Sequence, residues 1–204
     1  MQSIEFIGIR GGHGATTVAL AAAATLANRG PTRISVSTHD RRAMCAIVGI
    51  AHDGLPIPIA EHLDLAPDEF DGDVIDAGTL ERYFDEEPFD DELARRRQNA
   101  AATRRIGVLR GPDYLGLRTL CEHAEAPLDA LVMLAEPGRA LDARDVEHVS
   151  GRRVVAVVDH TPVVARTIDA GLLVHRLGRL REFAQLRTWI TQIATEEAPC
   201  VAPS

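Results

Sequence analysis

The residues of this chain best placed to do chemistry lie in one segment, Ile7-Gly8-Ile9-Arg10-Gly11-Gly12-His13-Gly14-Ala15-Thr16-Thr17. An apolar run enters a cluster of glycines, and an alanine-rich helical pattern leaves it. Such a junction binds anions. Glycine lets the backbone approach a phosphate closely, while the unpaired N–H groups of the helix's first turn and the positive end of its dipole converge on one point. Three glycines in four residues, placed directly after an apolar run, favour this phosphate-binding reading over a tight turn with no ligand.

The charge available for such a site is restricted. All 22 cationic residues among the 204 are arginine, so the chain holds no lysine. Schiff-base chemistry on lysine is excluded, and so is a lysine-dependent phosphate site made by this chain alone. With 30 acidic residues the net charge is -8, which argues against a broad nucleic-acid surface. Aromatic residues are only 4%, too few for base-stacking platforms. Cys45, Cys121 and Cys200 are odd in number and lack CxxC spacing, so neither a zinc site nor a disulfide framework is indicated. The N-terminal residues show no basic region and no cleavage site, and no apolar stretch of about 18 residues runs free of Arg or Asp. A cytoplasmic location is the expectation.

The elements that must position the glycines follow from period and punctuation. Strands are expected at Ile4–Ile9, Arg33–Ser37, Asp73–Asp76, Ile106–Leu109, Ala130–Leu134 and Val154–Val158, mostly as continuous apolar runs of the kind buried on both faces. Helices are expected at Thr16–Asn28, Tyr114–His123, Leu141–Val149 and Val163–Leu173. Residues 54–71 read as loop or short strand, and residues 79–105 as a charged stretch, acidic first and then basic. The alternation predicts an α/β fold with a mostly parallel sheet, helices on both faces, and ligands at the carboxyl ends of the strands. One domain over residues 1–195 is expected, with a C-terminal tail at 196–204.

The glycine segment resembles the deviant Walker A motif of the ParA/MinD family of P-loop ATPases, whose pattern is Lys-Gly-Gly-x-Gly-Lys-Thr/Ser-Thr. Gly11, Gly12, Gly14, Thr16 and Thr17 match. Arg10 stands where the family's signature lysine stands, and Ala15 where its phosphate-gripping lysine stands. Thr38-His39-Asp40 is similar to the family's first switch, keeping Asp40 and departing at Thr38. Asp73-Val74-Ile75-Asp76 resembles the Walker B strand, and residues 158–171 resemble the strand, loop and helix near the adenine.

The resemblance implies ATP or ADP with Mg2+ as cofactor, held by Gly11, Gly12, His13, Gly14, Ala15, Thr16, Thr17 and Asp159, with Thr16 and Asp76 on the metal side. Ala15 supplies no charge. Losing one charge-assisted hydrogen bond costs about 1.5–3 kcal/mol, or about 10- to 150-fold in affinity. Binding is then weakened or lost, and hydrolysis, which rests on electrostatic stabilisation, suffers more. A pseudo-ATPase is therefore expected, forming a homodimer that positions a protein partner of a partition, secretion or pilus system. Within the family the chain looks most similar to degenerate members related to TadZ/CpaE. Arg10 and Asp40 are the candidates for any residual catalysis; Arg10 could reach a partner's nucleotide across a dimer. His13 in a glycine loop is expected to be exposed.

Two further readings compete. One is a slow ATPase in which Arg10 replaces the lost lysine. The other is a Rossmann-type dinucleotide binder, supported by Gly12-x-Gly14 but lacking the third glycine, where Thr17 stands. The arginines at 95–97, 104 and 105 could meet DNA, but a solvated helix face paired with the acidic run is favoured. The stripe Leu180, Phe183, Leu186, Ile190 and Ile193 reads as a helix packed on the sheet rather than a lipid-seeking one.

Overall fold

The computed structural model describes residues 3–36, 41–50, 57–67, 72–85 and 103–196, without side-chain detail at 83–85. In chain order the elements are β1 (Ser3–Gly8), α1 (Ala15–Ala27), β2 (Thr32–Val36), α2 (Arg41–Val48), β3 (Ile57–Ala60), β4 (Leu63–Leu65), β5 (Val74–Thr79) and α3 (Leu80–Asp85). There follow β6 (Thr103–Arg110), α4 (Tyr114–Glu122), β7 (Ala130–Ala135), α5 (Ala143–Ser150), β8 (Val154–Asp159), α6 (Pro162–Asp169), α7 (Leu173–Arg176), two short 3-10 turns and α8 (Ala184–Glu196).

The strands form one eight-stranded sheet in the order β3-β4-β2-β5-β1-β6-β7-β8. Among the described residues only the β3–β4 edge pair is antiparallel. Side chains alternate across the sheet as the two-residue strand period requires. Ile4 and Phe6 of β1, Ile106 and Val108 of β6, and Val132 and Leu134 of β7 face one core with α1, α2 and α6–α8. Ile7, Leu109, Leu131 and Met133 face the other, with α3, α4 and α5. The α/β expectation, with helices on both faces, holds.

The C-terminal stripe is core. Leu180, Phe183, Leu186, Ile190 and Ile193 are all buried, and α8 packs on α1 and β8. Among the described residues no helix is long and apolar enough to cross a membrane.

One expectation sharpens and two change. The 54–71 stretch contains a hairpin, β3 and β4, turning at Glu61-His62. The helix expected over Val163–Leu173 breaks after Asp169, and α7 begins at Leu173. Arg104 and Arg105 lie on strand β6 rather than a helix face, and Arg105 pairs with the buried Glu5 at 3.1 Å. Arg95, Arg96 and Arg97 lie outside the described residues.

Candidate functional site

β1 delivers the chain to the glycine segment at the carboxyl edge of the sheet, at the centre of the strand order. Gly12 and Gly14 take left-handed φ values of 79° and 84°. At Gly14 the left-handed φ favours glycine, and a Cβ there would also come within 2.5 Å of Leu134 Cδ1, so that leucine's end would have to shift. By contrast, Cβ atoms built on Gly11 and Gly12 would meet nothing within 4 Å, so the loop's outer surface is open. Gly14 is the N-cap of α1 and provides no side-chain cap, and the helix's first turn carries no acid.

The loop forms one wall of a cleft of about 740 Å3. Arg10, Gly11, Gly12, His13, Gly14, Ala15, Thr16 and Thr17 all line it, joined by Asp76 from β5. That convergence comes from topology, since β5 sits between β1 and β2 and pairs Asp76 with Phe6 and Val36. Asp76 is buried, and its Oδ1 accepts the Gly78 N–H at 3.3 Å. Arg110, His160, Ile168 and Asp169 also line the cleft.

The arrangement fits a phosphate and its divalent cation in part. The open loop and the uncapped start of α1 suit phosphate oxygens, and the Thr16 hydroxyl with the Asp76 carboxylate suits the metal side. Among the described residues no group of three His, Cys, Asp or Glu side chains gathers around an ion position, so most of a cation's ligands would be phosphate and water oxygens. Mg2+, when bound, would neutralise phosphate charge. Ala15 lines the cleft and adds no charge to it.

His13 departs from expectation. It is buried, 6% exposed, and its Nδ1 accepts the Arg110 N–H at 3.4 Å. Its Cε1 fills the space beside Gly116, where a Cβ would sit 2.9 Å away. Burial lowers its pKa most; Asp113 opposes that, and Arg10 and Arg110 reinforce it. The histidine is thus a neutral wedge between the loop and the β6–α4 turn. Arg10 makes no ion pair with a described residue. Asp159, at the end of β8, is exposed and does not line the cleft, although its neighbour His160 does. Asp40 lies outside the described residues, as do Thr38 and His39. His160 and Asp169 belong to the 158–171 segment that resembles the region near the adenine, whereas Arg82 and Arg110 were not singled out from sequence; for Arg110 the signal was available, since it stands at the carboxyl end of a parallel strand.

A glycine loop between β1 and α1, a buried aspartate on the strand inserted between β1 and β2, and a mostly parallel sheet define an α/β fold of the P-loop NTPase kind. Its particular form is that of MinD and ParA. Over 100% of both chains it matches MinD in the MinC:MinD cell division complex of Aquifex aeolicus, with a TM-score of 0.67 at 12% identity. It matches the septum site-determining protein MinD of Pyrococcus horikoshii, complexed with Mg-ADP, at 0.66 and 13%, covering 100% of this chain and 99% of that one. A ParA family ATPase of Chlorobium tepidum matches at 0.61 and 14%, covering 96% and 99%. No family model matches the sequence, and no curated protein does.

Proposed function

We propose that this chain is a degenerate ParA/MinD-type P-loop protein: a dimerising positioning or scaffold protein that binds ATP or ADP with Mg2+ weakly and hydrolyses little. The observation that carries the reading is the junction at Gly14-Ala15. The cradle keeps its left-handed glycines, its open surface and an uncapped helix start, yet the residue where the family grips phosphate with lysine is alanine. A site with geometry but reduced charge supports binding better than it supports phosphoryl transfer, which depends on electrostatic stabilisation of the transition state. The Mg-ADP bound to the P. horikoshii protein and the MinC bound to the A. aeolicus protein make a nucleotide and a protein partner the natural ligands to test. The partner is expected to belong to a partition, secretion or pilus system, as for TadZ/CpaE-like proteins.

Calorimetry with Mg-ATP, Mg-ADP and NAD, alongside a phosphate-release assay, tests this. Weak ATP or ADP binding with negligible turnover is the expected result. Measurable turnover abolished by Arg10→Ala would instead favour the slow ATPase, a reading kept because Arg10 lines the cleft without an ion pair among the described residues. Dinucleotide binding is disfavoured by topology. In the Rossmann order the second strand lies beside the first, whereas here β5 separates β1 from β2.

A further inference from the structure

Ala15 puts no charge where the glycine loop meets α1, and the neighbouring strand β6 brings an arginine to the same cleft. β6 ends in Arg110, whose side chain lines the cleft beside the loop. Its backbone is tied to the loop's own supports. The Arg110 N–H donates to His13 Nδ1, and the next N–H, of Gly111, donates to the carbonyl of Leu134 at 2.8 Å. Leu134 is the residue whose side chain lies against Gly14. Arg110 is therefore positioned relative to the cradle through two separate contacts.

Its side chain is also held. Arg110 Nε donates to Glu136 Oε1 at 2.8 Å, while Arg139 occupies Oε2 of the same carboxylate at 2.7 Å. The second pair packs over Gly111, whose φ is 95° and whose missing Cβ would sit 3.3 Å from both Glu136 Oε2 and Arg139 Nε. Two arginines keep the Glu136 carboxyl below its ordinary range, Arg139 contributing most, so the anchor stays ionised. One edge of the Arg110 guanidinium is thereby fixed. Its two terminal nitrogens bond to no described residue, and the side chain is 36% exposed. A planar fork with one edge fixed and the other unused suits phosphate oxygens, which arginine binds in a bidentate manner. Arg10, by comparison, has no such anchor.

We propose that Arg110 is this chain's own phosphate-facing cation, delivered from β6 of the same subunit, and that it supplies to a nucleoside di- or triphosphate the charge that Ala15 cannot. The assignment rests on the reading of the cleft as a nucleotide site. It makes nucleotide binding a property of the single subunit, independent of any arginine contributed across a dimer. Glu136 does not line the cleft, so its part is to hold Arg110 rather than to touch the ligand.

The test is titration of the full chain with a fluorescent ADP analogue and Mg2+, at protein concentrations low enough to keep it monomeric. Arg110→Ala should weaken binding about 10- to 150-fold, the range for one charge-assisted hydrogen bond. Arg110→Lys, which keeps the charge but loses the fork, should fall between Arg110→Ala and the unaltered chain, and guards against an alanine variant that folds poorly. Glu136→Gln leaves the guanidinium but loosens its hold, and should weaken binding less than Arg110→Ala does. Unchanged affinity in Arg110→Ala, or a loss that Arg110→Lys does not recover even in part, would overturn the proposal by making Arg110 a structural partner only. Thr16→Ala separates the two levels of inference. Loss with Thr16→Ala but not with either Arg110 variant defeats the Arg110 assignment and leaves the cradle standing. If none of these variants weakens binding, or the unaltered chain binds nothing, the nucleotide reading of the cleft falls as well.

Discussion

α1 and α5 begin in opposite ways. α5 opens with a complete capping box, in which Asp142 accepts from the amides of Arg144 and Asp145 and the Asp145 carboxylate accepts from the Asp142 N–H. α4 and α6 are capped similarly by Asp113 and Thr161. α1 has Gly14 at the same position, no side-chain cap and no acid in its first turn. A helix start leaves amide donors that something must satisfy. Three helices satisfy part of theirs from their own side chains, and the helix whose start lines the cleft does not. The self-capped helices draw stability from their own side chains, whereas α1, like the short α7, lacks a side-chain cap.

Breaking the uncapped end should cost most. Gly14→Ala forces a left-handed φ on a side chain and drives its Cβ into Leu134, and the expected loss is about 3 kcal/mol or more in urea unfolding. A loss below about 1 kcal/mol would mean that the loop relaxes easily and is not a rigid cradle. Next comes the missing charge. Ala15→Lys should tighten Mg-ATP by about 1.5–3 kcal/mol in calorimetry, and unchanged affinity would mean that α1's start does not face phosphate. On the capped side, Asp142→Ala should destabilise the fold by about 1 kcal/mol, with nucleotide affinity unaltered. A change in affinity there would remove the distinction between the two helix types.

The smallest effect is set by pH. His13 has a lowered pKa in the folded chain, chiefly through burial. The unfolded chain therefore takes up the proton first, and stability present above the ordinary value of 6.5 is lost as pH falls from there toward the folded-state value. Melting temperatures of the unaltered protein and of His13→Leu should converge in their pH dependence above that range and diverge below it, the variant being flatter. A variant as steep as the unaltered protein would show that His13 is not the group responsible.

Much of this was legible from sequence because the relevant signals are local. β1, β7 and β8 agree with expectation within one residue at each end, since continuous apolar runs mark strands buried on both faces. α2 was not legible, although Met44, Cys45 and Val48 carry helical spacing. Two arginines open it, and Arg41 looks like a surface residue. In the fold Arg41 is buried, because carbonyls of Ala66 and Pro67 receive its guanidinium. His13 misled for the same reason. Its exposure depends on Gly116, about a hundred residues away, leaving room for the ring.

The sequence by itself determined that this chain has a glycine-rich turn between a strand and a helix and no lysine to charge it, because both are properties of residue type and short spacing. Tertiary structure alone decided what surrounds the cradle. Placing β5 between β1 and β2 brings Asp76 to the loop, and pairing β6 with β1 brings Arg110 to His13. Strand adjacency in a parallel sheet is set by long crossovers and by the burial of whole faces, which no local pattern encodes.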